Sequence, residues 1–431
     1  VGGCILTNIF NCLGISDILT RVLMETNAVE SKFSFGSYTR LLSGPGHAAL
    51  SLFGLLLRFP VAMRSISCIM LLSATTNSLW IAGTVAGTLM ITQALASPIL
   101  GGFADRFSQR KVLIVTSCCH VIAIALLIAL VFLDAHLWLI MAAAIGIGCS
   151  SVPVDGFIRT RWAAMVTDEA LRTAYALETV LDEIIFLLGP LVAIVLATVL
   201  HPAAGLALCA AFTFSGSMAL VLHRRSEPVI VQKVDEKNRR AISMIWVRSL
   251  MVSYAAVGIF LGSIDVMMIA FAKEVGNPTL AGVLLSICAG GSLVGGLCYG
   301  AMNWSIPQPR LLLLTSATLF AGTVPLVFTS SPLVMGVSAF IAGLSVAPLL
   351  ITCSNLLESL TPKGCLSEGF SWLSSAGWLG FSFGVSVGGQ LSDQTGAAQV
   401  AWIALAAGML ALLASLFSQS LLSKKSMPSP I

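Results

Sequence analysis

Runs of about twenty apolar residues recur twelve times along this chain, and no other feature limits its fold as strongly. A hydrocarbon layer about 30 Å thick is crossed by a helix of roughly 20 residues, which satisfies its own backbone hydrogen bonds where water is absent. The runs fall near 48–73, 79–101, 112–133, 137–158, 174–199, 203–223, 244–271, 279–301, 310–330, 332–354, 368–390 and 396–420. Of 431 residues, 57% are hydrophobic and only 10% charged, against about a quarter charged in a soluble domain. Such a surface needs the lipid bilayer as its solvent. The expected fold class is an all-α membrane protein with twelve transmembrane helices in two six-helix bundles.

Most connections between runs are short. The exception, 224–243, is polar and divides the chain six plus six, as a tether between two bundles would. The expected organisation is an N-terminal cytoplasmic lead (1–46), a first bundle (47–223), a cytoplasmic central loop (224–243), a second bundle (244–420) and a cytoplasmic tail (421–431). Within the lead, residues 1–14 are apolar, but Asn8 and Asn11 interrupt them and no basic residue precedes them. That makes a poor signal peptide. Residues 16–40 read as a short cytoplasmic helix or a disordered segment.

Loop charge orients the chain. With the N-terminus inside, cytoplasmic segments hold nineteen of the twenty-three Lys and Arg residues; Arg58, Arg64 and Arg248 lie within spans, and Lys273 alone falls outside. A missed span would scramble this alternation. Both termini are expected in the cytoplasm, in a multi-pass monomer of the plasma or inner membrane.

Several function classes are disfavoured. Basic residues sit in short loops rather than on one stripe, so nucleic acid is not an expected partner. The eleven cysteines are scattered and form no CxxC, which argues against metal ligation and a disulfide frame. Gly380 to Gly384 and Gly384 to Gly388 match Gly-x-Ser-x-Gly, yet a nucleophile elbow needs a strand-turn-helix context and both serines lie in one apolar run. Neither HExxH nor a P-loop is present, so no enzyme, cofactor or metal site is expected. Small residues at four-residue spacing (Gly83 and Gly87, Gly291 and Gly295, Gly296 and Gly300, Gly380 to Gly388) let helix backbones approach closely in lipid; packing and sliding are both open roles.

After the second run the sequence reads Gly101-Gly-Phe-Ala-Asp105-Arg106-Phe-Ser-Gln-Arg110-Lys111. This resembles the signature loop of the major facilitator superfamily, Gly-x-x-x-Asp-Arg-x-Gly-Arg-Lys, at the junction where that family carries it. Gly101, Asp105, Arg106, Arg110 and Lys111 match, whereas Ser108 stands for the usual glycine and Gln109 for the first basic residue. A carboxylate at the end of one helix is favoured by the exposed N–H groups of another helix's N-terminus. The resemblance implies that this partner is span eleven, beginning near Ser367, and that Asp105, Arg106 and Arg110 latch the two halves on the cytoplasmic side. The matching junction in the second half, Gly296 to Gly300 followed by Arg310, keeps the glycine and lacks the acid.

The resemblance covers the chain from about residue 47 onward and is nearest to bacterial efflux-type members, with degenerate antiporter motifs. Span five carries Gly189-Pro190, an expected kink, but Ile185 and Ala193-Ile194 stand where drug/proton antiporters have further glycines. Span four has Ala142 to Gly146 where they have Arg-x-x-Gln-Gly. What the family implies is alternating access around a central cavity, driven by an ion gradient, with a small-molecule substrate and a coupling ion, most simply the proton. Efflux of small amphipathic compounds is the direction expected; uptake of a small polar solute and a transport-inactive scaffold or sensor are the alternatives.

Ionisable groups inside a bilayer need a partner or a water-filled cavity. Arg58 and the deeper Arg64 lie in span one; Glu178, Asp182 and Glu183 crowd one half of span five; Asp265 lies toward the outer end of span seven. Glu178 and Asp182 share a helix face, with Glu183 turned about 100° away. Arg58 is therefore expected to pair with Glu178 or Asp182, and Arg159 with Asp155. The span-five acids are candidates either for a structural lock or for proton exchange. Asp155, Arg159 and Arg161 are expected to form an interfacial cluster, and Asp265 is either hydrated or placed to meet a cationic substrate.

Overall fold

The computed structural model describes residues 36–425, apart from 77–78, 229–239, 278, 303, 305 and 329–330. Expectations for residues 1–35, for most of the central loop and for residues 426–431 lie outside the described residues. Among the described residues the chain is helical, without strands. A short α1 (Gly36–Leu42) precedes six helical passages: α2 (His47–Thr76), α3 (Leu79–Arg106), α4 (Gln109–Phe132), the pair α5 (Leu137–Cys149) and α6 (Val154–Met165), α7 (Asp168–Val195) and α8 (Ala204–Leu222). Six more follow: α9 (Ile245–Glu274), α10 (Thr279–Ala301), α11 (Gln308–Val327), the pair α12 (Pro332–Gly343) and α13 (Val346–Leu360), α14 (Leu366–Thr395) and α15 (Ala397–Lys425).

Eleven of these passages are long and apolar enough to cross a membrane. The twelfth, α14, has the length at 30 residues, but its serines, glycines and Glu368 lower its hydropathy, because much of it faces protein rather than lipid. The fourth and tenth passages, expected as single spans, are each broken. The break at residues 150–153 ends on Pro153, which lacks an N–H and disfavours helix at Val152. At Leu344 and Ser345 the following helix places Pro348 in its first turn, where its N–H would have no intrahelical partner. Both breaks leave backbone groups and hydroxyls inside the bundle, and both continue beyond the expected ends to Met165 and Leu360.

The largest apolar core runs through both halves at the end that carries Asp105, joining Leu113, Phe157, Trp162 and Tyr175 to Leu356, Phe370 and Leu373. At the opposite end the first half keeps a separate core, including Met63, Leu71, Val85, Ile124 and Leu206. Among the described residues the shared core joins the halves at the Asp105 end, while the first half keeps this second core to itself. Large apolar side chains such as Ile122, Trp138, Phe328 and Leu333 stand exposed on the outside, as lipid contact requires.

Small residues serve these contacts unequally. A Cβ at Gly380 or Gly384 would press on the α9 backbone, 3.0 Å from the Ala255 Cα and 3.0 Å from the Ser263 N respectively. That stripe packs α14 against α9. Gly83 and Gly87 instead face open space among the described residues, so packing, one of the two roles open for these pairs, is not made there.

Candidate functional site

The motif loop sits where α3 meets α4, against the N-terminus of α14. The Asp105 carboxylate accepts the backbone N–H of Ser367 at 3.2 Å and of Glu368 at 2.9 Å. It thereby satisfies two of the four donors a helix start leaves free. Gly101 makes that approach possible: a Cβ there would lie 2.7 Å from the Ser367 carbonyl oxygen and 2.7 Å from the Ser371 Oγ. Gly156 of α6 faces the same atoms at 2.8 and 2.7 Å. The first turn of α14 therefore rests in a cradle of two glycines from the first half.

The two departures from the motif have local reasons. Ser108 holds φ at 156°, where glycine is less strained. Its hydroxyl accepts the Arg110 N–H and donates to Glu227 at 2.7 Å, capping α4. Gln109 is buried; its amide donates to Ser367 Oγ at 3.1 Å, and its oxygen accepts from Arg161 Nε at 2.9 Å. A basic side chain at 109 would set two cations face to face. By contrast Arg106 and Lys111 are exposed and Arg110 half-buried, and among the described residues none of their side chains bonds to the other half. Of the residues expected to latch the halves, Asp105 alone bonds across the seam among the described residues, and Gln109 joins it there.

Further bonds close this end. Tyr38 of α1 donates to the Leu297 carbonyl at 3.1 Å, Arg172 to that of Trp304 at 3.2 Å, and Ser375 to that of Ala94 at 2.7 Å. Burial pushes the Tyr38 phenol up to about 12, so it stays a donor. Cys365, just before α14, is buried, and burial next to Asp105 pushes its thiol up to about 11.

One layer deeper lies a cluster of charges. Arg58 bonds the Asp182 carboxylate, reaches Glu178 at 2.5 Å and approaches Asp155 at 3.7 Å. Trp162 Nε1 donates to the other Glu178 oxygen at 2.6 Å. Arg159 does not pair with Asp155 as expected; it turns to Asp182 at 3.8 Å and donates to Thr179 and to Ser354 of α13. Both residues lie on α6, and each is taken up by other helices: Asp155 by Arg58 and by Ser374 of α14, which donates to it at 2.8 Å. Arg161 also leaves the expected interfacial trio. It donates to Gln109, to Ser226 and to the Leu220 carbonyl, each at 2.9 Å. Arg58 and Glu178 are shut from solvent, whereas Asp182 is 21% exposed and Asp155 33%.

The remaining candidates are dispersed. Glu183 accepts from Ser292 of α10 at 2.6 Å, near Phe186, whose ring packs against Trp378 of α14 at 5.3 Å. Asp265 is half-buried on α9 and makes no ion pair among the described residues. At the expected kink, α7 runs on through Pro190 and changes to a π-turn only at Leu196–Leu200; Gly189 lets α2 pass, a Cβ there meeting Ala62 at 2.7 Å. Sequence reasoning missed Trp162, Gln109, Ser354 and Ser374, neutral residues whose value lies in what they touch. It also missed the surroundings of Arg64. A histidine in mid-span, His120, was the available signal.

Known proteins place this arrangement. The profile described as Major Facilitator Superfamily matches residues 50–303 and 249–429. The multidrug resistance protein MdtG of Rahnella sp. (strain Y9602) is 24% identical over 295 residues, 65% of this chain and 69% of that protein. Among solved structures, a bacterial homologue of the iron transporter ferroportin in an outward-facing state is similar with a TM-score of 0.71 and 17% identity, over 86% of this chain and 99% of that one. The proton:xylose symporter XylE is similar with a TM-score of 0.66 and 14% identity, over 86% and 95%. Likeness at these identities speaks for the fold. With family matches covering both halves, an all-helical membrane architecture and an acid seated on a helix start across the seam, the chain belongs to the major facilitator superfamily of secondary membrane transporters.

Proposed function

We propose that the protein is a proton-coupled exporter of small amphipathic compounds, working as a monomer in the plasma or inner membrane with both termini in the cytoplasm. Two rocking units, 47–223 and 244–420, alternate access, and the closed end described above is the cytoplasmic gate. The single observation that carries the coupling is a charge imbalance. Three carboxylates (Asp155, Glu178, Asp182) face two guanidiniums (Arg58, Arg159) in one contiguous cluster. In a low-dielectric interior a surplus negative charge is costly, and a proton offsets it. Glu178 is shut from solvent, so the partly exposed Asp182 and Asp155 are the exchange points, Asp182 first because both arginines hold it.

Proton occupancy and gate are physically linked. Arg159 holds Asp182 and Ser354, and Asp155 holds Arg58 and Ser374. Protonating Asp182 releases part of its hold on both arginines. Asp155 is then drawn toward them and away from Ser374, loosening α14 and the gate. The outward direction is supported by the name of the MdtG relative. The test is transport into and out of proteoliposomes across an imposed pH gradient, with a compound found by thermal-shift screening. Asp182→Asn is expected to keep substrate binding and lose proton-driven flux. Full flux with unaltered proton coupling in that variant would refute the assignment.

A further inference from the structure

Arg64 has no acid to answer it. It is 2% exposed, in the middle of α2. Its neighbours are neutral: it donates to Gln93 of α3, to Ser151 in the α5–α6 break at 3.0 Å, and to His120 Nε2 of α4 at 3.4 Å. Its Nε–H has no hydrogen-bond partner. Among the described residues every ion pair of the first half belongs to Arg58 or Arg159. A guanidinium does not shed its proton, so the positive charge stays inside the bundle.

The histidine beside it is fixed as a neutral ring. His120 Nδ1 lies 3.1 Å from the Ile147 carbonyl, which can only accept, so the proton sits on Nδ1. Nε2 is then the acceptor that Arg64 uses. His120 therefore shares the charge without cancelling it. Arg64, His120 and Ser151 line a small interior cavity together with Thr213 of α8 and the apolar walls of Leu57, Pro60, Val61, Val152 and Val154. Its room is about that of one water molecule. A buried cation with an unused N–H, a hydroxyl wall and space for one particle together describe an anion site. The size excludes phosphate, sulfate and carboxylates.

We infer that Arg64 binds a monatomic halide, chloride in the cell, in this cavity between α2, α4, the α5–α6 break and α8. The ion receives the Arg64 Nε–H and the Thr213 hydroxyl and supplies the countercharge that none of Arg64's own neighbours provides. This site is separate from the Arg58 cluster, and the inference does not depend on the direction or coupling of transport.

The experiment uses the purified full chain in chloride-free gluconate buffer, titrated with chloride and, in parallel, with bromide. Saturable binding is followed by radiolabelled chloride retention and by the rise in melting temperature. Wild type is expected to saturate with both halides and not with sulfate. Arg64→Gln is expected to weaken retention by about tenfold or more, the loss of a charge-assisted donor, and Thr213→Val to weaken it by less. Arg106→Gln, an exposed arginine, is the control and should bind as wild type. Absence of saturable halide binding in wild type would overturn the inference, as would undiminished binding in Arg64→Gln. Should Arg64→Gln fail to fold, bromide anomalous scattering from wild-type crystals decides: a peak beside Arg64 supports the site, and its absence at saturating bromide refutes it.

Discussion

Asp105→Asn puts a number on the gate. The carboxylate accepts two N–H groups of the α14 start, at 3.2 and 2.9 Å. Asparagine is nearly isosteric and keeps one carbonyl oxygen, so one of these bonds survives without its charge. A hydrogen bond to a charged group contributes about 1.5–3 kcal/mol, and an acid at a helix N-terminus gains about 0.3–1 kcal/mol from the dipole. Asp105 is half-buried, so solvent screens part of the charge. A net loss of about 2 kcal/mol corresponds to about a thirtyfold shift from closed to open.

Cys365 reports the shift. It is 2% exposed at the foot of α14, and its thiol is pushed up to about 11 by burial and by the Asp105 charge, so it reacts only when the helix moves. In a variant retaining Cys365 as its one cysteine, Asp105→Asn is expected to raise maleimide labelling by about thirtyfold, unless opening itself becomes limiting. Removing the Asp105 charge also eases thiol ionisation, so each rate is divided by the thiolate fraction taken from that protein's own pH–rate profile; a gate effect remains after the division. Equal labelling rates in folded wild type and variant would refute the reasoning.

Two further outcomes follow from the same geometry. Gly101→Ala places a methyl 2.7 Å from the Ser367 carbonyl, whereas Gly102→Ala meets Glu368 at an ordinary 3.7 Å; the first should cost the closed state about 1–3 kcal/mol and the second almost nothing, read by the same labelling. Burial and the charges of Arg161 and Arg225 hold the His223 imidazole below its ordinary range. The neutral ring is favoured in the fold, so its contribution to stability is full above about pH 6.5 and declines as pH falls through that unfolded value. Melting temperature from pH 8 to 5 should slope less in His223→Gln; identical slopes would remove His223 from the account.

The Asp105 seam and the buried cluster share one helix. The α6 helix carries Gly156 under the α14 start, Asp155 beneath Ser374, Arg159 against α13 and Arg161 against Gln109. Any movement of α14 is felt by each of these contacts, and interfaces of this kind switch between discrete arrangements. The short helix after the break at residues 150–153 presents Asp155, Gly156 and Arg159 to the other half, while Arg161 braces Gln109 from within the first half.

By itself the sequence determined the solvent, the class and the register of this protein. Apolar runs of membrane length, positive loops and the Gly101 to Lys111 junction are local properties, set by the free energy of moving each segment out of water. The same is true of Asp105, because a motif residue keeps its distance along the chain to the helix it ends. Partner choice among the buried charges was not legible in that way. Arg159 stands four residues from Asp155 on one helix, which predicts a pair, yet packing offers Arg159 the Asp182 carboxylate and Ser354, and offers Asp155 the Arg58 guanidinium and Ser374. Arg106 and Arg110 read as latch residues from their motif, and the seam passes them by in favour of a glutamine. Arg64 read only as a costly charge; the neutral ring of His120, the hydroxyl of Ser151 and the space beside them come from four different helical passages. Distances between passages are decided when the helices pack, since a buried charge takes whichever partner the fold brings within reach. The chain wrote which groups enter the membrane, and tertiary packing alone decided which of them meet.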